Sequence, residues 1–251
     1  MKWSIELKPL CSIHIAAIIS AILSIFIGLL IYKKFKGKDS DSVYGFVGIL
    51  LIVLEAIKVI YSFKVYGEYH LDRIPFQICT LELFFLWAVP YVKNTTIKDM
   101  MMSYSLIALY GACFYFVNPS TIFNNEYVVF GVQAIIWHDL IIIIGIFTLF
   151  EYKVYNFKAL HFLIRGWLLW ILASLIAAIL DNLFVQAGIN FFYLSPAQMH
   201  IPYIGLNWIF NKPEPYILFF IAYLIYFSLG LIIVYGFIMI IGEYNKKYIN
   251  S

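Results

Sequence analysis

From Pro9 to Tyr32 the chain carries no Asp, Glu, Lys or Arg, and the same holds from Pro215 to Gly242. As helices, runs of this length reach roughly 35 Å at 1.5 Å per residue, longer than the ~30 Å hydrocarbon core of a bilayer. Nothing else in the sequence limits the choice of fold so strongly. The whole chain follows the same rule: 63% of its 251 residues are hydrophobic and only 12% charged, against about 25% charged in an ordinary soluble domain. Too little polar surface is available to cover a soluble globule, so lipid is the expected solvent. A disordered chain, a disulfide-rich secreted module and a nucleic-acid-binding domain are excluded on the same ground.

Seven apolar runs occur, at about 10–32, 43–66, 75–92, 100–117, 127–150, 160–186 and 215–241. Several are rich in Ile, which lowers helix propensity in water. In hydrocarbon every backbone polar group must be paired internally, so only helices and closed barrels span. These runs are too long and too uniformly apolar for barrel strands, which alternate in segments of about ten residues. The expected fold is all-α: residues 1–251 as one polytopic bundle of seven transmembrane helices. The first run is too long for a cleavable signal, lacks an Ala-x-Ala site and is followed by four lysines.

The cations give an orientation. Alternate connections and the C-terminal tail hold Lys33, Lys34, Lys36, Lys38, Lys93, Lys98, Lys153, Lys158, Lys246 and Lys247, with Arg165 just inside the sixth run. The other side holds Lys2, Lys8, Lys64, Arg73 and Lys212. Cytoplasmic loops carry the excess of Lys and Arg, so the N-terminus is expected outside and the C-terminus inside a cell membrane. The long outer loop 187–214 is too apolar for a solvated linker. It is expected either to lie at the membrane interface or to form a lid over a cavity.

Ionisable residues inside a membrane are costly and face the bundle interior or a watery cavity. The second run carries Glu55 and Lys58, three apart and so on one helix face. The third carries Gln77, Cys79, Thr80 and Glu82. The fifth carries His138 and Asp139, and the sixth carries Ser174, Asp181, Asn182 and Gln186. Counted from the outer ends at 1.5 Å per residue, Glu82 and Lys58 lie about 10 Å deep and His138 close to the midplane. The expectation is one polar pocket in the outer half, lined by Lys58, Glu82, His138 and Asp181. Four carboxylates face one certain cation, so at least one is expected to be neutral or to bind a cation. Cys11, Cys79 and Cys113 have no metal-ligand or disulfide spacing, and neither a metal nor a cofactor is expected.

Three short stretches resemble a known family. Pro75-Phe76-Gln77-Ile78-Cys79-Thr80-Leu81 resembles the Leu-Pro-x-His-x-Cys signature of the YwaF-type bacterial integral membrane proteins. Trp137-His138-Asp139-Leu140 resembles the surroundings of that family's helix-5 histidine. Asn190-Phe191-Phe192-Tyr193-Leu194 resembles its Asn-Tyr-Met-Tyr-Leu stretch before the last helix. That family is similar to animal transmembrane protein 164, a lipid acyltransferase thought to pair a cysteine with a histidine. The resemblance implies a thiol or hydroxyl nucleophile on the third helix and a histidine base on the fifth. Gln77 stands where the family has its first histidine, and Phe76 where the animal relative has its cysteine.

Three functions follow as alternatives. The first is a membrane-embedded acyltransferase or lipid hydrolase. Cys79 or Thr80 would be nucleophile and His138 general base. Gln77 would be an oxyanion donor, Glu82 or Asp181 would tune the histidine, and Asn190 and Tyr193 would sit in the segment over the site. The second is a transporter or solute-binding protein whose carboxylates, with Glu55, Lys58 and Asn182, hold a proton or a small cationic or polar solute. The third is an accessory subunit whose polar residues bind helices together. The expected partners are membrane lipids or such a solute, and no nucleic acid.

Overall fold

The computed structural model describes residues 11–68, 74–117, 127–187, 189–196 and 216–249. Among them are α1 (Ser12–Phe35), α2 (Ser40–Tyr66), α3 (Glu82–Ala88), α4 (Thr95–Val117), α5 (Val128–Glu151), α6 (Leu160–Leu183) and α7 (Tyr216–Ile249). Short 3-10 turns cover Val89–Tyr91, Phe157–Ala159, Val185–Ala187 and Phe191–Tyr193, and no strand occurs among the described residues. The fold is all-α, as the apolar runs require.

Six of the helices, all but α3, are long and apolar enough to cross a membrane. Their outward faces are apolar as well: Leu30, Ile60, Ile233 and Phe237 are each more than 60% exposed. A soluble monomer rarely leaves such a continuous apolar surface to water. The chain is a multi-pass membrane protein by this architecture. In lipid no hydrophobic force drives helix against helix, so close packing and interhelical hydrogen bonds hold the bundle.

The third apolar run departs from expectation. It is not one span over 75–92 but a turn at 77–81, the seven-residue α3 and a 3-10 turn containing Pro90. Seven residues rise only about 10 Å. Two local causes break the run. Pro90 has no N–H to continue the α-helical ladder. At the other end the Gln77 N–H donates to Thr80 Oγ1 at 2.8 Å, while Thr80 N–H and Leu81 N–H both donate to the Gln77 carbonyl at 3.0 Å. This is capping chemistry, which starts a helix rather than continuing one.

The central helix is α4, packed against α5 and α6, with α1 along α5 and α3 against α2. Two of these crossings depend on glycine. A Cβ at Gly166 would come within 2.7 Å of the Ser103 backbone, and one at Gly48 within 2.7 Å of Trp87 Cα. Small residues let the backbones approach this closely. On the α7 side, Trp170 stacks on Phe227 with ring centroids 4.5 Å apart.

After α6 the chain turns back over the bundle. Ile189, Phe191, Phe192 and Leu194 are buried there, and Tyr193 is 36% exposed. Gly188, residues 197–215 and the cations Lys2, Lys8, Arg73 and Lys212 lie outside the described residues.

Candidate functional site

The three stretches noted in the sequence meet in space. Gln77 lies at the turn before α3, and its amide reaches the segment after α6. Nε2 donates to the Asn190 carbonyl at 2.7 Å, and Oε1 accepts the Phe192 N–H at 2.7 Å. Phe76 adds edge contacts to Phe191 and Phe192, with centroids 5.3 and 6.0 Å apart. From α6, Asp181 Oδ1 accepts the Phe191 N–H at 2.9 Å, and Asn190 Oδ1 accepts the Ser195 N–H at 2.9 Å. These bonds hold a backbone that L-residues disfavour: φ is +53° at Phe192 and +60° at Tyr193.

The carbonyls of the irregular 77–81 turn need partners inside the bundle. Tyr104 OH of α4 donates to the Ile78 carbonyl at 2.9 Å, and Trp137 Nε1 of α5 donates to the Cys79 carbonyl at 3.1 Å. The residue after Trp137 is His138, so the same side-chain bond ties the helix-5 histidine stretch to the backbone of the cysteine turn. The Cys79 thiol packs toward Gly111 of α4, where an added Cβ would lie 3.4 Å from Sγ.

His138 stacks face to face on Tyr115, with centroids 3.7 Å apart and planes 2° from parallel. Its Nδ1 lies 2.7 Å from the Ala134 carbonyl. A carbonyl can only accept, so Nδ1 carries a proton, and in the neutral ring Nε2 is the basic nitrogen. No hydrogen bond joins Cys79 to His138 among the described residues.

Thr80 spends its hydroxyl on the turn, accepting the Gln77 N–H and lying 3.3 Å from the Gln77 carbonyl. Glu82 is fully buried, and Ser105 Oγ donates to its Oε1, while Oε2 has no hydrogen-bond partner among the described residues. Asp181 is also fully buried, with Oδ2 in the same condition. Glu55 and Lys58 pair with each other along α2 at 2.8 Å. Asn182 Nδ2 donates to the Ala178 carbonyl of its own helix at 2.7 Å, and Asp139 meets Ser20 of α1 at 3.4 Å.

The structure therefore draws together Gln77, Cys79, Thr80, Asp181, Asn190 and Tyr193, and Trp137 ties the helix-5 stretch that carries His138 to them. Lys58 and Glu55 form a separate pair, and Asn182 bonds within its helix. Sequence reasoning missed Tyr115, Tyr104 and Ser105. Each is an ordinary residue of an apolar run, more than twenty positions from its partner, and no spacing pattern announces it. Trp137 carried one signal, its place next to His138. No protein-family model, no curated protein and no solved structure matches the chain.

Proposed function

We propose that this membrane protein is a lipid-acting acyltransferase or hydrolase of the YwaF type, with Cys79 as nucleophile and His138 as base. The observation that carries this reading is the meeting of the three stretches: Trp137 on the Cys79 carbonyl, and Gln77 on Asn190 and Phe192. In the reaction, His138 Nε2 takes the thiol proton and the sulfur attacks the carbonyl carbon of a lipid ester. The lipid alkoxide leaves with the proton from the imidazolium, and the acyl group stays on sulfur as a thioester. A hydroxyl acceptor or water then attacks the thioester, giving its proton back through His138. Nucleophile and base must come within about 3 Å of each other for this, and such pairs often close only around substrate. Gln77 acts here by holding the 190–192 segment over the site, since both ends of its amide are engaged.

The test is turnover of a fluorescent phospholipid by the purified protein in liposomes, with acyl-Cys79 sought by mass spectrometry. Wild type should turn over lipid, and His138→Ala and Cys79→Ala should not. Wild-type turnover by His138→Ala would refute the thiol mechanism and the hydroxyl alternative together.

A second reading draws on the buried Glu82 Oε2 and Asp181 Oδ2, which have no hydrogen-bond partners among the described residues. Such oxygens suit a proton- or cation-coupled carrier of a small solute. Pyranine-loaded liposomes would report proton movement, and Glu82→Gln with Asp181→Asn should abolish it if this reading holds.

We also propose an N-out, C-in orientation in the cell membrane, supported by the eleven-to-five cation bias. Single cysteines at positions 36 and 70, in a background lacking Cys11, Cys79 and Cys113, test it in intact cells. An impermeant thiol reagent should label 70 and spare 36; the reverse pattern refutes it.

A further inference from the structure

Away from the cysteine turn, the connection from α5 to α6 is built unusually. Residues 152–159 close a tight turn at the ends of two long apolar helices. A polar cavity of about 440 Å³ opens there, lined by Lys153, Asn156, Lys158 and His161 with Tyr152 and Asp99. The acidic member of this lining, Asp99, is ion-paired with Arg165. Lys153 and Lys158 are exposed, and neither has a carboxylate within salt-bridge distance among the described residues. Glu151 lies within electrostatic range of Lys153 but also of Lys36. His161 Nδ1 donates to the Lys158 carbonyl at 2.8 Å, which fixes the end of the turn beside the two lysines. The back wall is fixed by Tyr152, whose ring stacks on Phe162 at 4.1 Å and whose hydroxyl donates to Met102 Sδ at 3.1 Å. The lining is therefore net cationic and firmly held.

The neighbouring face of the same turn is apolar. Phe157 and Leu160 alternate in sequence with Lys158 and His161. They line a groove of about 380 Å³ between α6 and α7, walled also by Ile164, Trp167, Leu231 and Gly236. One short segment thus presents a cationic cavity on one side and an apolar groove on the other. A free phosphate would use only the first. An amphiphile with an anionic head uses both.

We propose that this turn binds an anionic phospholipid, its phosphate on Lys153 and Lys158 and one acyl chain in the α6–α7 groove. The site is separate from the candidate catalytic residues: Lys153 lies fifteen positions beyond His138, about 20 Å along the helix axis. It depends on neither the proposed reaction nor the proposed orientation, because any end of these helices lies at headgroup depth. Juxtamembrane lysines attract anionic headgroups strongly enough that loss of two should weaken binding about thirtyfold.

The test is lipid titration of the full-length protein in detergent, read by native mass spectrometry. Phosphatidylglycerol and phosphatidylcholine of the same chains are the probes. Wild type should prefer phosphatidylglycerol. The double variant Lys153→Gln, Lys158→Gln should lose that preference, and Lys153→Arg, Lys158→Arg should keep it. Gly236→Leu fills the groove from a position where an added Cβ meets nothing within 4 Å, so it should weaken both lipids without disturbing the fold. Equal binding of the two lipids by wild type would overturn the proposal. So would an unchanged preference in the glutamine variant, or unchanged affinity in Gly236→Leu. Glycerol phosphate binding as tightly as the phospholipid would overturn it too, by assigning the cavity to a free anion.

Discussion

The Gln77 side chain brackets Asn190: its Nε2 donates to the Asn190 carbonyl and its Oε1 accepts the N–H of Phe192, both at 2.7 Å. One amide thus supplies two backbone partners for a segment whose regular structure is a single 3-10 turn. It joins the turn before α3 to the stretch after α6 across 113 residues of sequence.

Gln77→Leu keeps the volume and removes both bonds. A buried donor and acceptor left unpaired cost about 1–3 kcal/mol each. The expected outcome is a lower unfolding midpoint in detergent, with faster hydrogen exchange at 190–195 and no change at α1. Exchange at 190–195 as slow as in wild type would show that the amide does not hold the segment.

The long helices were legible in the sequence because hydrocarbon thickness and hydropathy are one-dimensional quantities. The third run read as a span for the same reason, since its average is apolar. What breaks it is local: the missing N–H of Pro90 and the cap between Gln77 and Thr80. The polar residues were legible as a set but not as a site. Depth along a helix says nothing of azimuth, so Glu55 and Lys58 turned out to form an ion pair along α2, and Asp139 to reach Ser20. The stack of Tyr115 on His138 joins two apolar helices and left no trace in either.

Gly48 sets how closely α3 lies against α2. An alanine there would put its Cβ about 2.7 Å from Trp87 Cα, and backbone cannot move aside as a flexible side chain can. Overpacking of this kind costs about 1–3 kcal/mol. Gly48→Ala should lower the unfolding midpoint and speed exchange in 82–88. Gly236→Ala, where space is open, should not.

Ser105 is the hydrogen-bond donor to Glu82, which is fully buried. Ser105→Ala leaves both carboxyl oxygens unpaired and should destabilise the protein by about 1–3 kcal/mol. In Glu82→Leu the carboxyl is absent, so adding Ser105→Ala to that variant should cost much less. A double-mutant cycle on unfolding midpoints measures the difference, and additive effects would count against the pair.

Lys153 holds φ at +53°, and no carboxylate lies within salt-bridge distance of it among the described residues. The left-handed conformation costs an L-residue roughly 1–2 kcal/mol. Lys153→Gly should therefore raise the unfolding midpoint by an amount matching about 1 kcal/mol, and Lys153→Ala should not. The same glycine variant should bind phosphatidylglycerol less well, so stability and lipid affinity move in opposite directions.

The roles of Cys79 and Thr80 separate by what each side chain already does. The Thr80 hydroxyl caps the turn, accepting the Gln77 N–H at 2.8 Å and lying 3.3 Å from the Gln77 carbonyl. A hydroxyl engaged on both sides is poorly free to attack a carbonyl. The Cys79 thiol makes no hydrogen bond among the described residues and packs beside Gly111. Thr80→Ala should then cost about 1 kcal/mol of stability, as the loss of a cap does, while lipid turnover per folded molecule stays near wild type. Thr80→Ser should restore the stability. On the proposed mechanism Cys79→Ala should leave the fold intact and remove turnover, and His138→Ala should do the same, because Nε2 is the base in every version of the proposed reaction. If Thr80→Ala abolishes turnover while Cys79→Ala preserves it, the nucleophile is the hydroxyl, and the cap must open for the enzyme to work.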